Sequence, residues 1–278
     1  MTDYVLGIAE NLSPRNVETW ATSLVNTGFR GVIVLFASED YTDLKRLCDQ
    51  LGMLFAPVPR HELPQRVNKE RWLYYVGYLD HWLNPKPTDR LVATDVRDVY
   101  FQSNPSLWLD LRLGDNQVVT TTEGITYEDE WWNKEHALAV YGQSFYERHL
   151  RRSTVVNSGV VAGLREPFRE LCLLVYQDTQ IAPSDTSDQI ALNGVLAKFG
   201  ARWKTWNTTH DHGWCCHGAI MGSNLPSIVN KRFGSPPQLI DDEVCDPSGE
   251  PYAIVHQYDR VASWQKLATQ SLDRRPGP

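Results

Sequence analysis

With 278 residues, 42% of them hydrophobic and 22% charged, the chain is long enough for one large or two small domains, and its composition excludes a disordered or low-complexity class. A formal net charge of −7, with the 27 lysines and arginines scattered along the sequence, excludes bulk nucleic-acid binding. No stretch offers the ~20 apolar residues of a membrane-spanning helix, the first thirty residues lack a secretory pattern, and the five cysteines are few for this length, so a cytoplasmic protein with free thiols is expected.

The apolar run 4–9 reads as a strand, followed by Ser13-Pro14, a helix N-cap with proline at the first helical position. Val17, Trp20, Ala21, Leu24 and Val25 then recur at helical spacing up to Gly28. A second strand is expected over 32–36. Leu44, Leu47, Cys48 and Leu51 mark a second helix stopped by Gly52, and 53–56 a third strand. This alternation predicts a doubly wound α/β sheet, with ligands beyond the carboxyl ends of its strands, at Ala9, Glu10 and 36–38. Neither G-x-G-x-x-G nor G-x-x-x-x-G-K-[ST] occurs, so phosphate must be held another way.

A long helix is expected over 67–83, with Trp72, Tyr75, Val76, Leu79 and Leu83 as its apolar face and Arg71 and Tyr74 off that stripe. The strand Arg90–Thr94 runs into Asp95-Val96-Arg97-Asp98. Beyond it come a strand at 117–121, an acidic and aromatic stretch at 123–133, a helix at 134–149, a strand at 155–163 and a helix at 187–199. No linker divides the chain, so one domain is expected over 1–278, in two halves at 1–105 and 106–270 with a flexible tail at 271–278.

An apolar strand ending in two carboxylates three residues apart suits a hard divalent cation, which takes oxygen ligands. Asp95 and Asp98 are therefore candidate metal ligands; the alternative is that one caps a turn and the other pairs with Arg97. Three further segments follow: Asn157-Ser158-Gly159-Val160-Val161-Ala162-Gly163, then Asp188-Gln189 with Asn193, then His256-Gln257-Tyr258-Asp259-Arg260. Together and in this order they resemble the GT-A glycosyltransferases, particularly the glycogenin-like retaining family, over nearly the whole chain.

That resemblance implies a GT-A fold, a Rossmann-like doubly wound mixed sheet, and a nucleotide-sugar donor whose diphosphate is bridged by manganese or magnesium. Asp98 matches the second aspartate of the family's D-x-D and His256 its C-terminal histidine. Val96 stands where the family has the first aspartate, so Asp95 is left to reach the metal, a water or the ribose. Arg71 resembles an arginine that contacts the donor. Asn157, Ser158 and Gly159 resemble the N-S-G strand beside the sugar. Asp188 and Gln189 resemble the start of D-Q-D by the transferred sugar, with Ile190 at the third position. Arg260 or Lys266 would neutralise the diphosphate in place of the family's lysine, and a uridine nucleotide is the favoured donor.

On the residues' own chemistry, Tyr127, Trp131, Trp132 and Asn133 can stack on and hydrogen-bond a carbohydrate acceptor, although core packing explains at least one tryptophan equally well. His210, His212, Cys215, Cys216 and His217 are zinc-ligand residue types, but spaced too tightly for paired C-x-x-C ligation, so a packed turn or substrate loop is expected. Two other readings compete with a transferase: a sugar nucleotidyltransferase, disfavoured because Glu10-Asn11-Leu12 has no glycine-rich basic character, and a glycan-binding or scaffold protein that kept the fold without the chemistry.

Overall fold

The computed structural model describes residues 1–61, 64–83, 86–181, 188–221 and 236–270. Strand β1 (Asp3–Ile8), helix α1 (Pro14–Asn26), β2 (Val32–Ser38), α2 (Thr42–Leu51) and β3 (Leu54–Val58) form the expected alternating start. Proline opens α1, and Gly52, at φ 68°, closes α2 in the left-handed conformation that glycine adopts without a Cβ penalty. Helix α3 (Pro64–Tyr78) runs on into a π-turn at Leu79–Leu83 and leads to β4 (Arg90–Thr94), β5 (Val99–Phe101) and α4 (Pro105–Arg112). The second half comprises β6 (Val118–Thr126), α5 (Trp131–Phe145), β7 (Thr154–Leu164), α6 (Arg165–Ile181), α7 (Asp188–Phe199), β8 (Thr205–Thr208), β9 (Cys215–His217), β10 (Gln238–Ile240), β11 (Glu243–Cys245), β12 (Ile254–His256) and α8 (Ala262–Gln270).

The central sheet has the order β3-β2-β1-β4-β7-β6-β8, all parallel except β7, which is antiparallel to both β4 and β6. Alternate residues of β1 serve opposite layers. Val5 packs with α1 and α2 residues such as Trp20, Leu24 and Leu44, whereas Tyr4, Leu6 and Ile8 pack with Trp72, Tyr75 and Phe168 on the α3 and α6 side. A strand buried on both faces reads as an unbroken apolar run, which is why the first strands were legible.

Several elements differ from expectation. Helices α4 and α6 were not anticipated: α6 follows β7 with no intervening turn residue to punctuate the sequence. The sixth strand extends to Thr126, taking in part of the acidic stretch, because a bulge with Gly124 at φ 69° lets it continue past a change of register. The expected helix at 134–149 starts at Trp131, capped by the Glu130 side chain, and is kinked at Gly142 before a π-turn at Tyr146–Leu150. The tail at 271–278 and Ser187 lie outside the described residues. Among the described residues, no helix is long and apolar enough to cross a membrane, and all five cysteines are free and buried.

A second, three-stranded sheet, β5-β12-β9, was also not anticipated, since three-residue strands carry no periodic signal. It sets the position of the candidate site. Strand β4 belongs to the large sheet and β5 to the small one, so Asp95-Val96-Arg97-Asp98 is the junction between them. Val96 points into the core, where Gly7 of β1 makes room: a Cβ on Gly7 would lie 2.5 Å from Val96 Cγ2 and 2.8 Å from Trp20 Cζ2. Gly7→Ala should therefore cost about 1–3 kcal/mol by overpacking, read as a lower urea midpoint. An unchanged midpoint would show that Val96 is not wedged there.

Candidate metal and donor site

The large sheet reverses its winding between β1 and β4, where β2 and β3 extend one way and β7 the other. Chains diverge at such a crossover and leave a crevice beyond the strand ends. Here it is a cleft of about 310 Å³ lined by Ile8, Glu10, Leu12, Val67, Asn68, Arg71 and the junction Asp95 to Asp98. Its volume lies within the range of small-molecule sites.

At its floor, Asp95, Asp98 and His256 each offer one ligand atom, all within 4.8 Å of one another. His256 Nε2 is 3.3 Å from Asp95 Oδ2 and 3.7 Å from Asp98 Oδ1. The small sheet accounts for this meeting, because β12 pairs antiparallel with β5 and sets His256 opposite Val99, the residue after Asp98. On the other side the Asp95 N–H donates to the Gly159 carbonyl (2.8 Å), prolonging the β4–β7 ladder. Gly159 is used for its lack of a side chain: a Cβ would lie 2.7 Å from His256 Nε2 and 2.8 Å from Asp95 Oδ2. Val96, facing the core, supplies nothing, so of the two residues at the start of the junction it is Asp95 that joins the cluster. Asp98 also accepts from Arg97 Nη2 (3.1 Å), the pairing considered as the alternative, and keeps its other oxygen toward His256.

Arg71, expected off the apolar stripe of its helix, is 4% exposed. Its guanidinium bonds Asp95, donates through Nη2 to Asp188 Oδ2 (2.6 Å) and to the Ser158 carbonyl (3.0 Å), and lies 5.1 Å from the ring of Trp72. Dehydration by the protein opposes ionisation of Asp95, but Arg71 and His256 outweigh it and hold its pKa well below the usual carboxylate range. Burial wins at Asp188, whose pKa is raised despite Arg71. Burial likewise opposes the charged form of His256, yet its bond to Asp95 and the charge of Asp98 raise its pKa overall.

Asn157, Ser158 and Gln189 meet beside this cluster. Asn157 Oδ1 accepts from the Gly159 N–H (2.7 Å), and the Ser158 N–H reaches Gln189 Oε1 at 3.4 Å. Gln189 Nε2 donates to Asn133 Oδ1 (3.0 Å), which brings one acceptor candidate into the network. Trp131 is 72% exposed at the start of α5, while the Trp132 ring stacks on His136, so the structure joins neither indole side chain to the network. Ala9 is wholly buried, its N–H donating to the Phe36 carbonyl; Glu10 Oε1 accepts from the His61 N–H (3.3 Å), and Glu10 Oε2 has no partner among the described residues. Arg260 and Lys266 are solvent-exposed and stand outside the buried network.

Two groups in the network were not assigned to this site from sequence. Glu123, re-aimed by the bulge at Gly124, accepts from Asn157 Nδ2 (2.7 Å); burial raises its pKa against the hydrogen bonds from Asn157 and Gln189. A glutamate followed by glycine at the end of a threonine-rich strand is a bulge signal that could have found it. The other, His217, touches His256 and was grouped with a zinc candidate. That candidate is not assembled: Cys215 packs with Trp214 and Ala253, whereas Cys216 packs with Tyr100 and Tyr252 in a separate cluster, and burial pushes both thiols up, away from the thiolate that ligation needs.

The mixed α/β fold with its seven-stranded central sheet is of the GT-A class, as the solved structures it resembles show. Among solved structures, the chain is similar to the galactosyltransferase LgtC in complex with donor and acceptor sugar analogues (TM-score 0.55, 12% identity, 96% of this chain and 95% of that one). It is similar also to mouse xyloside xylosyltransferase 1 in its apo form (TM-score 0.53, 13% identity, 92% of this chain and 98% of that one). No protein-family model and no curated protein sequence matches the chain.

Two substitutions probe this geometry. Gly159→Ala, in an ordinary strand conformation, would set a Cβ within clashing distance of His256 Cε1, so it should cost about 1–3 kcal/mol by overpacking and weaken any divalent-ion binding at the cluster roughly 10- to 100-fold; an unchanged urea midpoint together with unchanged Mn2+ affinity by calorimetry would refute the close approach. Arg71→Met strands two acids and should cost about 3–5 kcal/mol at neutral pH. Because the folded pKa of Asp95 is depressed, its pairing contributes stability above the unfolded carboxylate pKa of ~3.9 that is lost as pH falls below it. The gap between wild type and variant should therefore narrow between pH 7 and pH 3 in urea denaturation, and a gap that stays constant would exclude the pairing.

Proposed function

We propose that the chain is a glycosyltransferase that moves a sugar from a nucleotide-diphosphate donor, with a uridine nucleotide favoured, to a carbohydrate or glycoconjugate acceptor, with retention. Asp95, Asp98 and His256 would hold manganese or magnesium. The observation that carries this reading is the position of that cluster, on the floor of the crossover cleft in a GT-A fold. The donor set fits such an ion: two hard carboxylates and one imidazole converge where Gly159 leaves room, with Asp95 kept ionised by Arg71. Held by these residues, a divalent cation would supply the positive charge that a diphosphate leaving group needs.

The chain's own residues take the remaining tasks. Glu10, which lines the cleft, would meet the nucleoside with the backbone of Ala9 beside it. Arg71 fixes the Asp95 carboxylate and draws the Ser158 carbonyl and Asp188 toward the same point. Asn157, Ser158, Gln189 and Asn133 supply amide and hydroxyl groups to sugar hydroxyls, and Arg260 and Lys266 cover the diphosphate from the C-terminal side. Trp131 and Trp132 stack on the acceptor. On this division residues 1–105 hold the donor and 106–270 the acceptor.

Asp188, in the position of a nucleophile, is already engaged by a buried guanidinium at 2.6 Å. Such a carboxylate is a weak nucleophile, which favours departure and attack on one face of the sugar over a covalent glycosyl-enzyme. Calorimetry with UDP and GDP, with and without Mn2+, tests the reading. Nucleoside-diphosphate binding should require metal, and Asp98→Asn should weaken it about tenfold or more. Failure of both nucleotides to bind, with or without metal, would overturn the transferase reading and leave the scaffold alternative standing.

A further inference from the structure

His256 turns one ring nitrogen, Nε2, toward Asp95 and Asp98. Its other nitrogen, Nδ1, lies 3.0 Å from Nδ1 of His217. The two residues are register partners on the paired strands β12 and β9, with ring planes 74° apart, and both are buried, at 2% and 0% exposure. An N···N contact of this length holds one proton, so one ring donates and the other accepts.

The chemistry of the cluster decides the direction. A neutral imidazole has a lone pair on only one nitrogen, and an ion between Asp95, Asp98 and His256 needs that lone pair on Nε2. The ring proton must then sit on Nδ1, and inside the protein a buried N–H needs an acceptor. His217 Nδ1 is the acceptor in reach. Its own proton is thereby placed on Nε2, which has no hydrogen-bond partner among the described residues. That unmet polar group is a desolvation cost that an apolar side chain of the same volume would avoid, so packing alone does not account for a histidine at this position.

We propose that His217 is a positioning residue for the cation site: it accepts the His256 Nδ1–H and so favours the His256 tautomer and ring orientation that offer the Nε2 lone pair to an ion held with Asp95 and Asp98. Metal-ligating histidines commonly give their second N–H to a carboxylate, carbonyl or water; here a second imidazole takes that role. The proposal rests on the metal-dependent reading above and deepens it.

The hydrogen bond is read first with Mg2+, a diamagnetic divalent ion, by nitrogen NMR of the full chain carrying 15N-labelled histidine. The expected result is a scalar coupling across the N–H···N bond between the two Nδ1 atoms, with the proton assigned to His256 and His217 protonated at Nε2. A proton assigned to His217 Nδ1, or no coupling, overturns the proposal and leaves the glycosyltransferase reading untouched. Mn2+ affinity is then followed by EPR of the free ion in wild type, His217→Asn and His217→Leu. Asparagine keeps an acceptor near the Nδ1 position and leucine fills the space without one. His217→Leu should weaken Mn2+ binding roughly 10- to 100-fold, and His217→Asn should recover most of the loss. Equal affinity in all three proteins, or equal weakening in both variants, overturns the proposal. Should His217→Leu fail to fold, the coupling and the asparagine variant still decide it. A wild type that binds no Mn2+ overturns the metal reading and this proposal together.

Discussion

The cleft depends on one buried cation. The guanidinium of Arg71 reaches from α3 to Asp95 at the end of β4, to the Ser158 carbonyl on β7 and to Asp188 at the start of α7. Taking a charge out of water costs several kcal/mol unless it is paired and hydrogen-bonded, so the elements that carry its partners are held together by the need to satisfy it. The reverse also holds. Asp95 and Asp188 would repel each other across the same space without Arg71, and the pKa of Asp95 stays low because the cation is there. The pairing thus keeps one carboxylate ionised beside a histidine, which is what a divalent ion requires.

Around this clamp the two sheets share four residues. Val96 anchors the junction in the core against Gly7 and Trp20, and the Trp20 indole N–H donates to Thr94 Oγ1 (2.8 Å) at the end of β4. With the apolar side chain pinned inward, the two aspartates are directed to the opposite side, toward the strand that carries His256. The Tyr258 hydroxyl donates to the Arg97 carbonyl (3.2 Å), binding the C-terminal segment to the same junction. With valine between them facing the core, Asp95 and Asp98 both reach the cluster with His256.

A different kind of network flanks His256 on the side of β6 and α5. Glu123, Asn157, Gln189, Asn133 and Glu130 are joined by amide and carboxylate hydrogen bonds, with Glu130 also capping α5. The cluster side is organised by full charges and this side mainly by amides, which suits a phosphate-bearing group on one side and hydroxyl-bearing sugars on the other. Buried networks of this kind hold a single geometry only when most members are satisfied, and each amide here has at least one partner.

The N-terminal alternation was legible from local residues, because strands buried on both faces read as apolar runs and Pro14, Gly28 and Gly52 mark helix ends. So were the types and order of the chemical groups: the acids after β4, Asn157-Ser158-Gly159, Asp188-Gln189 and His256. Helical periodicity placed Arg71 off the apolar stripe of its helix, but whether that face meets water or acids depends on β7 and α7, which are far away in the chain. The same holds for the three-residue strands that bring His256 to Asp98 and His217 to His256, for the bulge that turns Glu123 inward, and for the separation of Cys215 from Cys216. By itself the sequence determined which residues could do chemistry and the winding of the first strands, because those follow from neighbours along the chain. Only the tertiary structure decided which groups meet, since burial, pairing and the direction of each hydrogen bond come from segments that the chain brings together in space.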